Sequence, residues 1–314
     1  MKNKEKNFMS AVIYVHNCEK RIDTFLRTIM LVLEENFEHS EIICVNDGSV
    51  DNSVDVIKRV SKEATLTSIS VINMSHFHGL EMAMNAGVEL SIGDFVYEFD
   101  STVLDFDKSE IMKVYKKSLE GFDIVSATPN RKQKVSSSLF YSVFKRFTKF
   151  SYEMYTESFR VLSRRVINRV SGMNKNIPYR KAVYANCGLK IDKIVYEPVK
   201  RDCEEEKISD LEKNYRKRLA TDTLILFTEV GYKFSVAMTT LMMFITVFMA
   251  IYSVIIYILK TPIAGWTTTI LFLSFCFFGL FGILTVVIKY LQILVDLVFR
   301  RKQYSFESIE KLTK

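Results

Sequence analysis

The tightest constraint on this chain is a rhythm. Between residues 11 and 127, five short β-rich runs (11–15, 42–46, 68–73, 94–99 and 123–127) alternate with four stretches that are apolar at helical spacing (19–35, 53–63, 79–91 and 108–119). Runs of Val, Ile, Phe and Tyr bury well in a sheet, and apolar residues every three or four positions give a helix one buried face. Strand–helix alternation at this pace fits a mostly parallel sheet with helices on both faces, since parallel neighbours need a crossover between them.

The turn after the second run carries the most chemistry. It reads Glu41-Ile42-Ile43-Cys44-Val45-Asn46-Asp47-Gly48-Ser49-Val50-Asp51-Asn52-Ser53. Ile42 to Val45 suit a strand buried on both faces, Asn46 to Ser49 are turn formers, and Asp51 and Ser53 cap the amphipathic helix that follows. Asp47 is thereby a carboxylate at a strand tip, where open α/β sheets bind nucleotides.

The second half reads differently. Residues 234–259 and 266–288 hold no charged side chain, and each is about the ~20 residues that a bilayer crossing needs. The break between them, Lys260-Thr261-Pro262-Ile263-Ala264-Gly265, contains one lysine, whereas Lys233 precedes the first run and Lys289, Arg300, Arg301 and Lys302 follow the second. That bias predicts a two-helix transmembrane hairpin with both ends in the cytoplasm. Gly279 and Gly282 would permit close helix packing and a homo-oligomer. Trp266 reads as an interfacial anchor.

Residues 136–155 crowd Leu139, Phe140, Val143, Phe144, Phe147, Phe150, Tyr152 and Met154 among Lys145, Arg146 and Lys149. This composition suits a helix lying in the bilayer interface, or a core helix with a basic edge. Residues 200–218 are densely charged and read as a link toward the membrane. The sequence holds 43 Lys+Arg against 36 Asp+Glu, a net charge of +7. That excess is too mild for a nucleic-acid partner and suits anionic lipid. The five cysteines lack ligand spacing and read as free thiols in a reducing compartment. No signal peptide is expected, because His16-Asn17 interrupts the first short apolar run.

Several strings then fall into a familiar order: Val12-Ile13-Tyr14-Val15-His16-Asn17-Cys18-Glu19, Asn46-Asp47-Gly48-Ser49, Asn85-Ala86-Gly87, Gly93-Asp94, Ser158-Phe159-Arg160-Val161-Leu162-Ser163-Arg164-Arg165, and two apolar segments followed by Arg301 to Tyr304. With this spacing the chain resembles the membrane-bound family 2 glycosyltransferases of GT-A fold, of the polyprenyl-phosphate sugar synthase type. The resemblance implies a GT-A, Rossmann-like domain over residues 1–200, a juxtamembrane helical linker over 201–232, two membrane helices within 233–299 and a cytoplasmic tail over 300–314. It implies transfer of a sugar from a nucleotide-diphosphate sugar to a polyprenyl phosphate at the cytoplasmic membrane face. Tyr14, Glu19, Asp47, Asp100 and Ser101 would then bind the donor. Asp100, matching the first aspartate of an Asp-x-Asp motif, would hold Mg²⁺ or Mn²⁺ and act with Arg160 in catalysis. Arg131, Arg160 and Arg180 would grip phosphates by bidentate contacts.

The chain departs from that pattern in three places. The motif reads Asp100-Ser101-Thr102, so a threonine replaces the second carboxylate, and Asp105 and Asp107 lie only nearby. Ser158-Phe159-Arg160 replaces an Asp-Phe-Arg string, with Glu157 one residue earlier. A Gly-x-Ser-Lys-Tyr segment is missing after Tyr196. These departures keep a second reading open: a catalytically impaired relative that binds a nucleotide-sugar or a partner without turnover. His76 and His78 flank Phe77 and read as loop histidines, with a metal pair as the alternative.

Overall fold

The computed structural model describes residues 4–131, 156–172, 179–199 and 306–313, with scattered single and paired helical residues between 214 and 294. The chain divides into two compact units: Met1–Lys145, Lys149–Ala220 and Lys302–Lys314 form one, and Arg146–Thr148 with Thr221–Arg301 the other.

The first unit begins with the expected alternation. Strands β1 (Met9–Val15), β2 (Ser40–Asn46), β3 (Ser68–Met74) and β4 (Phe95–Phe99) are joined by helices α1 (Glu19–Asn36), α2 (Ser53–Val60) and α3 (Leu80–Leu90). β1 lies parallel between β2 and β4, and β2 pairs in parallel with β3. Helix α1 buries Ile22, Phe25, Leu26, Ile29, Met30, Val32 and Leu33, the stripe that its spacing predicts. Helix α3 rides very close to the sheet. A Cβ on Gly87 would lie 2.4 Å from Val12 Cγ1 and 2.7 Å from Val45 Cγ2, so only glycine admits this approach.

Helix α4 (Lys108–Leu119) starts where the Asp107 carboxylate accepts the Ser109 N–H at 2.9 Å, an N-cap. It leads to β5 (Ile124–Pro129). Then come β6 (Phe159–Ser163), α5 (Arg164–Gly172), α6 (Arg180–Asn186) and β7 (Ile191–Tyr196). β6 runs antiparallel between β4 and β5, and β7 runs parallel to β5. The far edge is closed by β8 (Phe306–Lys311), antiparallel to β3. The sheet order among the described strands is β7-β5-β6-β4-β1-β2-β3-β8. β8 occupies part of the stretch that sequence reading treats as a charged tail.

Alternation along β6 positions the site. Phe159 and Val161 enter the core, where Phe159 packs against Phe106 and Phe99 with ring centroids 4.6 and 5.3 Å apart. Each such side chain contributes about 1.5–3 kcal/mol by burial. Arg160, between them, therefore projects from the opposite face of the sheet.

The interfacial helix expected near 136–155 and residues 200–213 lie outside the described residues, as do most positions of the two uncharged runs and Gly282. Among the described residues no helix is long and apolar enough to cross a membrane. Within the second unit the described residues are helical. Leu241, Phe244 and Phe248 are exposed, as are Leu273, Leu280, Leu284, Val287, Leu291 and Leu294, while Gly279 and Ile293 are buried.

Candidate functional site

The centre of the site is a ring of four side chains. Antiparallel pairing sets Glu98 of β4 opposite Arg160 of β6, and Asp100 stands just past the last residue of β4. Arg180 is the first residue of α6. Arg160 donates through Nη1 to Glu98 Oε2 at 3.0 Å and through Nη2 to Asp100 Oδ2 at 2.6 Å. Arg180 donates through Nη1 to Glu98 Oε1 and through Nη2 to Asp100 Oδ1, both at 2.7 Å. Each guanidinium thus bridges both carboxylates, and every oxygen of both carboxylates is engaged.

Each arginine also holds a third acid. Arg180 Nε and its backbone N–H both donate to Glu81 Oε2 at 2.9 Å. Arg160 Nε lies 2.9 Å from Glu157 Oε2, but out of hydrogen-bonding line, so both atoms lack a hydrogen bond. Tyr184 donates its hydroxyl to Glu98 Oε1 at 2.8 Å, and Lys181 lies 3.9 Å from Glu157. Four carboxylates thus face three cations.

The arginine side chains are 1% exposed, Glu98 is fully buried, and Asp100 is 15% exposed. Asp100 is the ring's outlet to solvent. Burial opposes its ionisation, yet Arg160, Arg180 and Lys181 prevail and hold its carboxyl well below the usual carboxylate range. Burial likewise works against both guanidinium charges, and the surrounding carboxylates, Asp100 foremost, push both arginines well above their usual value. Tyr184 is raised by burial and by Glu98.

The other expected site residues fall into three separate groups. Asp105 accepts the Tyr196 hydroxyl at 2.8 Å, Ser158 Oγ lies 2.5 Å from that hydroxyl, and Arg131, 57% exposed, pairs with Asp105 at 3.4 Å. Asp47 is fully buried. It accepts the His78 N–H at 2.7 Å, the Gly79 N–H at 2.8 Å and the Tyr14 hydroxyl at 3.1 Å. It therefore ties the β3–α3 turn to β1, and Tyr215 caps that turn, its ring against Gly79 and its hydroxyl accepting the Glu81 N–H at 3.3 Å. Glu19 is exposed and accepts from the backbone N–H and side-chain amide of Asn52. The His76 and His78 rings stack at 3.9 Å.

Asp47 and Asp100 do share one edge of the sheet. β2 and β4 flank β1, so their carboxyl ends stand about 10 Å apart at 4.7–4.9 Å per strand step. Sequence reasoning does not reach Glu81, Glu98 or Tyr184. The available signal was Glu98 itself, the one charge in Phe95-Val96-Tyr97-Glu98-Phe99, because a charge in a central strand must find a partner.

A Mg²⁺ or Mn²⁺ ion does not fit the residues present. Both Asp100 oxygens already accept from guanidinium groups. Thr102, in the place of a second carboxylate, is buried and carries no charge to offer an ion. Ser101 Oγ accepts the Val103 N–H at 3.3 Å, Asp105 belongs to the Tyr196 group and Asp107 caps α4. Among the described residues no group of three or more His, Cys, Asp or Glu could hold a metal.

Comparison with known proteins gives this geometry its context. A family model described as Glycosyl transferase family 2 matches residues 10–171. An uncharacterized glycosyltransferase of Synechocystis sp. is 28% identical over 188 residues, 58% of this chain and 58% of the relative. An undecaprenyl-phosphate 4-deoxy-4-formamido-L-arabinose transferase of Pseudomonas syringae is 31% identical over 126 residues, 40% of this chain and 37% of the relative. Among solved structures, a mannosyltransferase from Pyrobaculum calidifontis in complex with GDP-Man and Mn²⁺ is similar at 13% identity and a TM-score of 0.48, covering 89% of this chain and 88% of that one.

Proposed function

We propose a reaction from one premise: this chain belongs to glycosyl transferase family 2. The chain transfers a sugar from a nucleotide-diphosphate sugar to a polyprenyl phosphate at the cytoplasmic membrane face. The observation that carries this reading is Asp100, a partly exposed carboxylate at the tip of β4, on the sheet edge where α/β folds take nucleotides. An acceptor of the polyprenyl-phosphate class is supported by relatives named undecaprenyl-phosphate transferases.

A bilayer partner is supported by the exposed apolar positions of the second unit. Leu280, Leu284, Val287, Leu291 and Leu294 recur at steps of three and four, a single stripe on a helix. Pairing of β8 with β3 adds a topological argument. Residues on both sides of the two uncharged runs belong to one sheet, which supports an even number of crossings for a chain that enters the bilayer between them.

The chemistry is a direct displacement with inversion. A phosphate oxygen of the lipid attacks the anomeric carbon, the bond from that carbon to the diphosphate oxygen breaks, and the nucleoside diphosphate leaves with the electron pair. The acceptor is already anionic, so Ser158 need not act as a base. Asp100 accepts hydrogen bonds from the sugar or ribose hydroxyls. Arg131, the exposed arginine of the three candidates, attracts phosphate.

The test is to incubate the purified full chain, in detergent, with undecaprenyl phosphate and a panel of labelled nucleotide-sugars. Label entering the lipid, and absent with Asp100→Asn, is the expected result. The complete engagement of Asp100 by two arginines favours one alternative, a binding protein without turnover. Nucleotide binding with no label transferred from any donor would establish that alternative instead.

A further inference from the structure

We propose that this chain takes its donor without a divalent cation at the Asp100 strand tip, because two guanidinium groups already stand in the place of such an ion. The inference deepens the reading above and rests on it only for the identity of the donor.

Three observations carry it. First, both oxygens of Asp100 are already shared with a cation: Oδ1 and Oδ2 accept from Arg180 and Arg160 at 2.7 and 2.6 Å. Second, the carboxylates nearest Asp100 are also engaged. Glu98 accepts from both arginines and Tyr184, Glu81 from Arg180, and Glu157 lies against Arg160. Third, the residue in the place of a second carboxylate is Thr102, a buried neutral side chain.

Mg²⁺ and Mn²⁺ need several oxygen ligands in near-octahedral geometry. At Asp100 either ion would share its oxygens with a guanidinium group that is 1% exposed and held on both sides, so the ion could take a full ligand set only by displacing it. It would also sit beside the second fixed positive charge. Both penalties act against the ion and neither acts against a neutral hydroxyl. Asp100 therefore presents to a ligand a carboxylate whose charge is balanced from behind. Its remaining lone pairs suit the hydroxyl groups of a sugar or ribose.

Two measurements on the purified full chain test this. In the first, Mn²⁺ alone is titrated into the protein and free ion is followed by its electron paramagnetic resonance signal. The expected result is no saturable site that depends on Asp100. Saturable one-to-one binding that disappears in Asp100→Asn overturns the proposal. In the second, UDP and GDP are titrated calorimetrically into the wild-type protein, with EDTA and then with excess Mn²⁺. Affinities equal within about threefold support the proposal, and a gain of about tenfold or more with Mn²⁺ overturns it. If neither nucleotide binds in either buffer, the donor reading above fails, and the Mn²⁺ titration still decides the question of the ion.

Discussion

Replacing Glu98 by Gln tests whether the ring is the keystone of this half of the sheet. The carboxylate accepts three donors: Arg160 Nη1 at 3.0 Å, Arg180 Nη1 at 2.7 Å and Tyr184 OH at 2.8 Å. Glutamine keeps the shape and loses the charge. Its carbonyl can accept on one side only, and its NH₂ group must then face a guanidinium on the other. At least one buried arginine loses its partner, and the repulsion between Arg160 and Arg180 loses the charge between them that offset it. Removing one member of a buried ion pair costs about 3–5 kcal/mol. For a unit of this size, each kcal/mol moves the thermal midpoint by about 2–4 °C, so the expected fall is about 6–20 °C. Far-UV circular dichroism of the full chain in detergent measures it, with Glu120→Gln, at an exposed pair with Lys117, as a control that moves the midpoint little. A fall below about 2 °C for Glu98→Gln would refute the ring as a structural unit.

Further outcomes follow from the same geometry. The Asp100 carboxyl is held below its unfolded value of about 3.9, so the unfolded chain binds the proton more readily. Its stabilising effect is complete above that value and is lost as pH falls from about 4 toward the lower folded value. The thermal midpoint should therefore decline below about pH 4, with a shallower slope in Asp100→Asn. Gly87→Ala places a methyl group 2.4 Å from Val12 Cγ1, an overpacking that costs about 1–3 kcal/mol in the same melt. Thr102→Asp restores the missing carboxylate on paper, yet it puts a charge beside buried Cys18. The expected outcome is a lower midpoint and no new site in the Mn²⁺ titration.

The parallel half of the fold was readable because its signals are local. The runs read at 11–15, 42–46 and 68–73 become Met9–Val15, Ser40–Asn46 and Ser68–Met74, and the helix read at 108–119 has those bounds in the structure. The apolar spacing of a strand or helix is written into its own residues. β8 was not readable, because Phe306-Glu307-Ser308-Ile309-Glu310-Lys311 sets two apolar residues three apart among polar ones, without a strand's period of two, and only the β3 edge makes them a strand. The ring was half readable. Asp100 and Arg160 sit in recognisable strings, but Glu98 meets Arg160 only through the antiparallel register of β4 and β6, 62 positions apart, and Glu81 meets Arg180 across 99. No periodicity encodes such distances. Asp47 shows the converse: a residue type suited to a ligand, at the right tip, whose oxygens hold the chain's own backbone.

The pairing of β8 with β3 also orders events in time. The Ile69 N–H waits for Thr313 Oγ1, 244 positions later. At synthesis rates of about 5–20 residues per second, that wait lasts roughly 12–50 s. Throughout it the outer rim of β3 is an open row of peptide groups, a template for any passing strand. Both uncharged runs leave the ribosome within that interval, so the nascent sheet must survive with one flank unsealed until the polypeptide doubles back to it.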